Sequence, residues 1–150
     1  MHAFVLQLEQ TVDEYLSMLQ ALTEEECDKK PFPNKWSKKE LIGHLIDSAQ
    51  NNTRRFIVAQ YEERPQIVYK QDEWVRINNY QSYSLTELLE LWRLLNKQIA
   101  TILSNTPVEA LERLCATENV NTIAWLATDY IKHMKHHLHQ VLELSPFPYP

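Results

Sequence analysis

Residues 123–144 of the chain read IAWLATDYIKHMKHHLHQVLEL and contain an unbroken hydrophobic stripe. Large side chains recur there every three or four residues, which is the spacing of one face of an α-helix. We predict a helix that begins at a cap on Asn121 or Thr122 and reaches about Leu144. Its buried face is then formed by Ile123, Leu126, Tyr130, His133, His137, Val141 and Leu144. Two of these seven inward positions are histidine.

Three further long helices are predicted upstream, from the same periodicity, at residues 3–21, 37–61 and 84–106. The second and third each begin with a serine followed three residues later by a glutamate, at Ser37 and Glu40 and at Ser84 and Glu87. This spacing is typical of a capping box, in which the two residues satisfy each other's backbone N–H groups. Four long helices predict an all-α fold, a four-helix bundle.

The connections between these helices differ in character. Residues 65–83 are aromatic and polar without a long period, so we predict an excursion that holds at most one short helix, at about 73–80. Residues 107–114 are predicted to form another short helical turn. The tail at 145–150 contains three prolines and cannot continue a helix. No repeat or linker divides the sequence, and we predict a single domain over residues 1–150.

Composition excludes several classes of protein. The net charge of −5 provides no positive field for nucleic-acid phosphates, so no nucleic-acid partner is expected. The single glycine, Gly43, excludes glycine-rich dinucleotide and phosphate loops and the tight glycine-containing hairpins of β proteins. No apolar run is long enough to span a membrane, and the N-terminus lacks the basic region of a signal peptide.

The two cysteines also bear on where the protein resides. Cys27 and Cys115 are 88 positions apart and form no paired motif, which argues against a disulfide framework. We expect two buried or inert thiols and a cytoplasmic location.

The histidines of the stripe are candidate metal ligands. His133 and His137 lie one helical turn apart, about 40° from each other around the axis, so both imidazoles can approach one ion. On the second long helix, His44 lies beside the inward face marked by Leu45 and Ser48. Three histidines would leave a coordination position open for water or substrate on zinc or nickel. Spacing alone leaves open the alternative that these are hydrogen-bonded core histidines.

Other residues near the histidines have weaker assignments. Glu40, one turn before His44, is a candidate extra ligand or catalytic base, although the capping box also accounts for it. Asp129 and Gln140 are candidate acceptors that fix an imidazole tautomer, with exposed surface positions as the alternative. We assign His136 and His139 to the surface or to such a supporting role. The zincin and di-iron templates are excluded, because Met134 follows His133 and no ExxH motif occurs.

Three separated segments together resemble one family. They are WSKKELIGHLIDSAQNNTRRF at 36–56, QDEWVRINNY at 71–80 with Trp92 beyond it, and DYIKHMKHHLHQV at 129–141. Over about residues 30–144 the chain resembles the DinB-like superfamily, in particular its YfiT-like branch of metal-dependent hydrolases. The resemblance implies an up-down-down-up four-helix bundle, often dimeric, that holds nickel or zinc. The metal ligands it implies are His44, His133 and His137, the same three that helical phase indicates.

Function follows from the resemblance less directly than fold, because one scaffold hosts several chemistries. It implies an S-transferase that uses a low-molecular-weight thiol against a small electrophile. The alternatives are a metal-dependent hydrolase and a non-catalytic metal- or ligand-binding protein linked to stress. We expect a small-molecule substrate whose pocket, above the metal, is walled by the candidates Arg55, Trp74, Arg76, Asn79 and Tyr80.

The family resemblance also implies a homodimer. Gly43 lies on the side of its helix away from His44, and a glycine within a helix permits a close approach of a second helix. Simple tolerance of a poor helix former is the alternative for this position.

Overall fold

The computed structural model describes residues 2–150, and these form a mainly helical structure. Six α-helices occur in the described chain: α1 Ala3–Leu19, α2 Glu24–Asp28, α3 Lys38–Val58, α4 Gln71–Asn78, α5 Leu85–Ser104 and α6 Ile123–Val141. Short 3₁₀ turns occupy Tyr80–Ser82 and Val108–Glu112. Two short strands, β1 Leu114–Ala116 and β2 Val120–Thr122, precede α6. The four long helices α1, α3, α5 and α6 confirm the predicted four-helix bundle.

The predicted helix starts are confirmed by their caps. Ser37 accepts a hydrogen bond from the N–H of Glu40, whose carboxylate accepts one from the N–H of Ser37. Ser84 and Glu87 form the same reciprocal pair at the start of α5. At α6 the cap is Thr122, which accepts from the N–H of Trp125. Because each cap satisfies N–H groups that have no partner inside the helix, short polar motifs fix where these helices begin.

The predicted helix ends are less accurate, because left-handed residues stop two helices. Helix α6 ends at Val141 rather than near Leu144, since Glu143 has φ 55° and the N–H of Leu144 turns back to the carbonyl of His139. Helix α4 lies at Gln71–Asn78 rather than 73–80, since Asn79 has φ 49°. Helices α1 and α3 end two to three residues before their predicted ends at 21 and 61, and irregular turns follow them.

The bundle has the predicted up-down-down-up topology, and its long helices do not pack around the bundle in chain order. Helix α1 packs against α5 and α6, and α3 packs against the same two helices. Helices α1 and α3, although consecutive among the long helices, therefore occupy opposite corners of the bundle. The interior is filled by large side chains from all four helices, among them Leu8, Phe56, Trp92 and Ile131. The contact between α3 and α6 brings the predicted histidines into one layer of this interior.

The β-hairpin corrects the sequence analysis, which predicts no strands. β1 and β2 pair antiparallel with Cys115 opposite Asn121, and their loop contains no glycine. Its three residues, Thr117 to Asn119, close the hairpin with the N–H of Thr117 donating to the carbonyl of Asn119. The excursion at 65–83 joins this hairpin, because the N–H of Ile67 donates to the carbonyl of Ala116. These two segments therefore form one wall beside α6.

Gly43 permits an aromatic ring, not a second helix, to approach α3. A Cβ atom built on Gly43 would overlap the ring of Tyr80, which lies against the backbone there. The hydroxyl of Tyr80 donates to the carboxylate of Asp47, one turn further along α3, and Asn78 donates to the same oxygen. The face of Gly43 is thus covered within the chain, and the expectation that it offers a dimer surface is wrong. Its lack of a side chain has a packing reason.

Other expectations concern the cysteines and the membrane. Cys27 and Cys115 are free and buried, as expected, and burial raises the pKa of both thiols. Among the helices of residues 2–150, none is both long and apolar enough to cross a membrane.

Replacing Gly43 by alanine should destabilise the protein despite the better helix propensity of alanine. The methyl group must displace the Tyr80 ring, and overpacking of this kind costs about 1–3 kcal/mol, against a gain of about 1 kcal/mol from propensity. Urea unfolding should show a lower free energy for Gly43→Ala, while Gln50→Ala, at an exposed position of the same helix, should leave it nearly unchanged. A Gly43→Ala variant as stable as the wild type would contradict the ring contact.

Candidate metal centre

The three predicted histidines converge through the same ring atom. His44 projects from α3, and His133 and His137 project from one side of α6. The Nε2 atom of His133 lies 3.3 Å from Nε2 of His44 and 3.1 Å from Nε2 of His137. One ligand atom from each ring lies within 4.8 Å of the others. Two helices therefore present three nitrogen donors to a single point.

The spacing of these nitrogens fits a bound cation. Zinc binds imidazole nitrogen at about 2.0–2.1 Å, so two donors at corners of a tetrahedron lie about 3.3 Å apart. A hydrogen-bonded alternative fits less well, because one imidazole proton on His133 would have to serve two neighbours that both point at it. A cation can accept all three lone pairs at once. The donor set, three neutral imidazoles, suits zinc or nickel.

A chain of hydrogen bonds fixes the tautomer of His137. In the arrangement of protons that satisfies every group of this chain, Nδ1–H of His137 donates to Oε1 of Gln140 at 2.8 Å. The Nε2 atom of His137 is then unprotonated. The Nε2 amide of Gln140 then donates to Nε2 of His136 at 3.3 Å. Nδ1–H of His136 donates in turn to the carbonyl of Phe147 at 2.9 Å. The supporting roles predicted for Gln140 and His136 therefore have a geometric basis, and the tail completes the chain.

Burial keeps the histidines of the cluster neutral. His44 is only 1% exposed, and desolvation lowers its pKa to about 4, with the charge of His137 adding to the effect. Desolvation lowers the pKa of His133 to about 3, assisted by the charges of His137 and His44. The pKa of His137 is also lowered by burial, against the opposing effect of the hydrogen bond that His137 donates to Gln140. Unprotonated imidazole is the form that binds metals, so the site is ready for a cation at neutral pH.

His44 is held by packing rather than by a hydrogen bond. Its ring centroid lies 5.0 Å from that of Trp36, which precedes the α3 cap. Its Nδ1 atom is buried and has no hydrogen-bond partner among residues 2–150. The supporting contacts are therefore unequal: His137 is oriented by an amide and His44 by an indole.

A cavity of about 370 Å³ adjoins the histidine cluster through His133. Helix α3 contributes Ser48, Asn52 and Arg55 to its walls, and α6 contributes Asp129 and Tyr130. The excursion and the hairpin wall form the opposite side through Val68, Tyr69, Gln71, Thr117, Glu118, Asn119 and Asn121, with Trp125, Leu126 and Tyr149 completing it. A small molecule in this cavity can therefore reach His133.

Of the predicted pocket residues, the structure brings only Arg55 into the lining of this cavity. Trp74 packs edge to face against Tyr69, with ring centroids 5.6 Å apart, and so lies behind the wall. Arg76 is exposed and pairs with Glu73, while Asn79 forms the left-handed end of α4. Tyr80 is buried against Gly43 and bonds Asp47. The excursion does contribute to the pocket, but through Val68 and Tyr69 before α4 and Gln71 at its first position.

Three further predicted residues have definite partners. Glu40 accepts from the Ser37 N–H and from Nζ of Lys30 at 2.8 Å, so its hydrogen bonds are those of a helix cap. Asp129 accepts from the hydroxyl of Tyr149, at 3.0 and 2.9 Å from its two oxygens, and forms no hydrogen bond with a histidine among residues 2–150. His139 lies outside the cluster, with its Nε2 atom 2.6 Å from the hydroxyl of Tyr15 and its Nδ1 atom donating to the Ser145 carbonyl.

Tyr149 is the functional candidate that sequence reasoning misses. The proline-rich tail folds back along α6, and the Tyr149 ring lies 5.4 Å from that of His133 and 5.9 Å from that of His136. Its hydroxyl is fixed by Asp129 at the edge of the cavity. The available signal is a tyrosine between prolines, a segment that is rigid and extended and so able to pack along a helix.

The sequence also matches the profile of the DinB superfamily over residues 7–141. The chain belongs to the DinB superfamily. As a member, it combines the family's bundle with the histidine cluster described above.

Two bacterial relatives extend this DinB assignment. The chain is 31% identical over 134 residues to a protein of Halalkalibacterium halodurans, covering 79% of this chain and 77% of the relative. That relative carries the name "Putative metal-dependent hydrolase". A protein of Oceanobacillus iheyensis with the same description is 27% identical over 133 residues, covering 82% of this chain and 73% of the relative.

Solved structures share the DinB fold. YfiT from Bacillus subtilis, described as a probable metal-dependent hydrolase with an unusual four-helix bundle topology, matches with a TM-score of 0.84 at 21% identity. The match covers 95% of this chain and 83% of YfiT. A mycothiol-dependent maleylpyruvate isomerase matches with a TM-score of 0.72 at 12% identity, covering 95% of this chain and 60% of that protein. At these identities the likeness establishes the fold alone.

Purified protein should contain about one divalent transition metal ion per chain, because three neutral imidazoles face one point. Elemental analysis should show that the triple variant His44→Ala, His133→Ala, His137→Ala has lost the metal. His139→Ala, on the same helix but outside the cluster, should retain it. Gln140→Leu should weaken metal affinity by about 10–100-fold, since His137 loses the acceptor that orients it. Full occupancy in the triple variant would refute the assignment.

Acid should destabilise the metal-free protein through the same histidines. The folded pKa of His44, about 4, and of His133, about 3, lie below the value of 6.5 for a free histidine. The unfolded chain therefore binds more protons below pH 6.5, and stability present above that pH is lost as pH falls toward these folded values. Each histidine should remove about 2 kcal/mol by pH 5.

Urea unfolding of metal-free protein between pH 7.5 and 4.5 measures this loss. The double variant His44→Gln, His133→Gln should show a shallower dependence on pH. Other titrating groups, such as the buried Asp47, are common to both proteins and cancel in the difference. Parallel pH profiles for the two proteins would contradict the assignment of the loss to these histidines.

Proposed function

We propose that the protein is a metal-dependent S-transferase that joins a low-molecular-weight thiol to a small electrophile. The observation that carries the proposal is the cavity of about 370 Å³ that adjoins the three-histidine cluster at His133. A divalent cation held by His44, His133 and His137, nickel or zinc, would supply a positive charge that lowers the pKa of a thiol or water and orients it. Three protein donors leave room for such a group.

The side chains around the cavity favour a thiol over water. A cation lowers the pKa of water as well as that of a thiol, but hydrolysis also uses a carboxylate or histidine that accepts this proton and returns it to the leaving group. Asp129 already accepts the Tyr149 hydroxyl, and Glu118 is exposed to solvent. Glu40 is bound by Ser37 and Lys30. A thiol, whose ordinary pKa is about 8.5, ionises beside a cation without such a base.

The protein's own residues have positioning roles in this reaction. Gln140 holds His137 with its Nε2 lone pair directed at the cluster, and the neutral state of His44 and His133 preserves theirs. The thiol loses its proton to solvent through the open cavity, its sulfur forms a bond to the electrophilic carbon, and the leaving group departs with the electron pair of the broken bond. Tyr149 and Tyr69 shield the reacting atoms from part of the solvent.

Hydrolysis is the second candidate, and the names of the relatives favour it. Two relatives above a quarter identity carry the name "Putative metal-dependent hydrolase". In that case Glu40 remains the candidate proton acceptor, which requires it to leave its helix cap. A non-catalytic role in metal or ligand binding is the third candidate. Homodimer formation stays a prediction of the family resemblance, and a cytoplasmic location stays a prediction from the N-terminus and the cysteines.

Turnover should separate these candidates. Metal-loaded protein, assayed with a panel of small thiols and monochlorobimane, should accelerate formation of the fluorescent thioether, because the cluster raises the thiolate fraction. His137→Ala should lower kcat/KM at least about 100-fold while the circular dichroism spectrum stays unchanged. His139→Ala is the matched control and should keep the wild-type rate.

Each alternative has its own outcome in the same assays. Hydrolysis of ester or amide substrates without thiol conjugation, together with a large loss in Glu40→Gln, would replace the transferase by a hydrolase. If the protein binds metal and ligand but turns over neither thiols nor ester or amide substrates, the non-catalytic binding role is supported. Loss of both activities in Glu40→Gln with an intact helix would add proton transfer to its role as a cap.

A further inference from the structure

Arg55 is a half-buried cation with no carboxylate partner. It lies on α3 and lines the cavity next to the cluster, and its guanidinium pairs with no Asp or Glu among the described residues at salt-bridge distance. Burial of an unpaired charge is costly unless something compensates it. The groups in and around the cavity must therefore account for the unpaired charge of Arg55.

The hydrogen bonds of Arg55 occupy only part of its guanidinium. The Nε–H and one Nη2–H donate to the carbonyl of Ile67, at 3.2 and 3.0 Å, and one Nη1–H donates to Oδ1 of Asn52 at 3.3 Å. Arginine has five N–H donors, so one remains on Nη1 and one on Nη2. Two donors on adjacent nitrogens suit the two oxygens of a carboxylate. The Ile67 and Asn52 contacts hold the group in a fixed orientation.

The surroundings of Arg55 favour an anion over other ligands. The ring of Tyr69 lies 5.7 Å from the guanidinium carbon and covers one of its faces. Among residues 2–150, Arg55 is the one lysine or arginine that lines the cavity. Two acids also line it, but neither pairs with Arg55 at salt-bridge distance: Asp129, whose charge acts on Arg55, accepts from Tyr149, and Glu118 is exposed to solvent. An anionic group that enters the cavity therefore has a single cationic side chain to bind.

Arg55 and His133 belong to the same cavity, so one ligand can touch both. Both side chains line the cavity of about 370 Å³ that adjoins the cluster. A ligand bound at both ends is held in one orientation, so its reacting group is positioned for the reaction.

We propose that Arg55 is the carboxylate-binding residue of the site, and that the thiol substrate carries a carboxylate at the end remote from its sulfur. The proposal rests on the proposed function for the group that reaches the cluster, and it adds the chemical class of that substrate. The thiol ionises at the cluster end, and the carboxylate takes the two free N–H donors of Arg55 at the other.

Ligand pairs that differ only in the carboxylate test this assignment. Protein loaded with Co²⁺ is titrated with ω-mercaptocarboxylates of two to six carbons and with ω-mercaptoalcohols of equal length, and the thiolate-to-cobalt absorption band gives each Kd. The mercaptocarboxylate of the best-fitting length should bind at least about 10-fold more tightly than its alcohol partner. High salt should reduce this ratio, because the contact is ionic.

Variants assign the preference to a residue. Arg55→Gln should bring the ratio of the two Kd values close to one, and Arg55→Lys should give an intermediate ratio, since lysine keeps the charge but not the paired donors. Arg54→Gln, exposed and adjacent on α3, should leave the ratio unchanged. A preference that persists in Arg55→Gln would overturn the proposal. If Arg55→Gln does not fold, equal affinity for acid and alcohol in the wild type overturns it as well.

Failure of the proposed function has a different signature. If no thiol produces an absorption band, the thiol reaction is rejected, and the carboxylate site is judged by saturation-transfer NMR with hexanoate and hexanol. Binding of hexanoate that Arg55→Gln abolishes would support Arg55 as a carboxylate site independently of the thiol. Equal signals for hexanoate and hexanol in the wild type would reject it.

Discussion

Three imidazole nitrogens face one another between α3 and α6, and most of the neighbouring structure serves this contact. Unprotonated nitrogens so close together cannot bond to each other, and their burial prevents them from becoming charged. The close approach of the three nitrogens therefore requires a cation or a shared proton between them. It also requires that the imidazole rings cannot rotate away from one another. Packing by Trp36 and the amide of Gln140 provide that restraint, while the register between the two helices brings the rings to one level.

Local rules in the sequence were sufficient for the helices and for the cluster. The caps at Ser37, Ser84 and Thr122 depend on residues within one turn, and the periodicity that buries α6 also directs His133 and His137 inward. His44 could be paired with them because a four-helix bundle has one interior, so that inward positions on two helices are brought together. The prediction makes α6 too long, because the hydrophobic pattern does not indicate that the backbone of Glu143 is left-handed.

The pocket could not be predicted to the same extent, because its walls come from contacts that are distant in sequence. Tyr80 and Trp74 are aromatic residues in the right segment, yet Tyr80 fills the space left by Gly43 and Trp74 supports Tyr69 from behind. The hairpin at 114–122 forms without glycine and pairs with Ile67, and no alternation of polar and apolar residues over so few positions distinguishes it from a turn. Tyr149 reaches the site only because the tail returns along α6.

The two histidines that join α3 to α6, His44 and His133, are 89 positions apart in the chain, whereas His133 and His137 are neighbours on one turn. In an unfolded chain, bringing ends so distant together costs about 4–5 kcal/mol of conformational entropy, which is roughly a thousandfold in equilibrium. An unfolded chain can therefore offer a metal only the local pair, and folding provides the third nitrogen at high effective concentration. Affinity for the ion therefore depends on the tertiary structure. In a cell with little of the metal, a larger fraction of the chains would be unfolded.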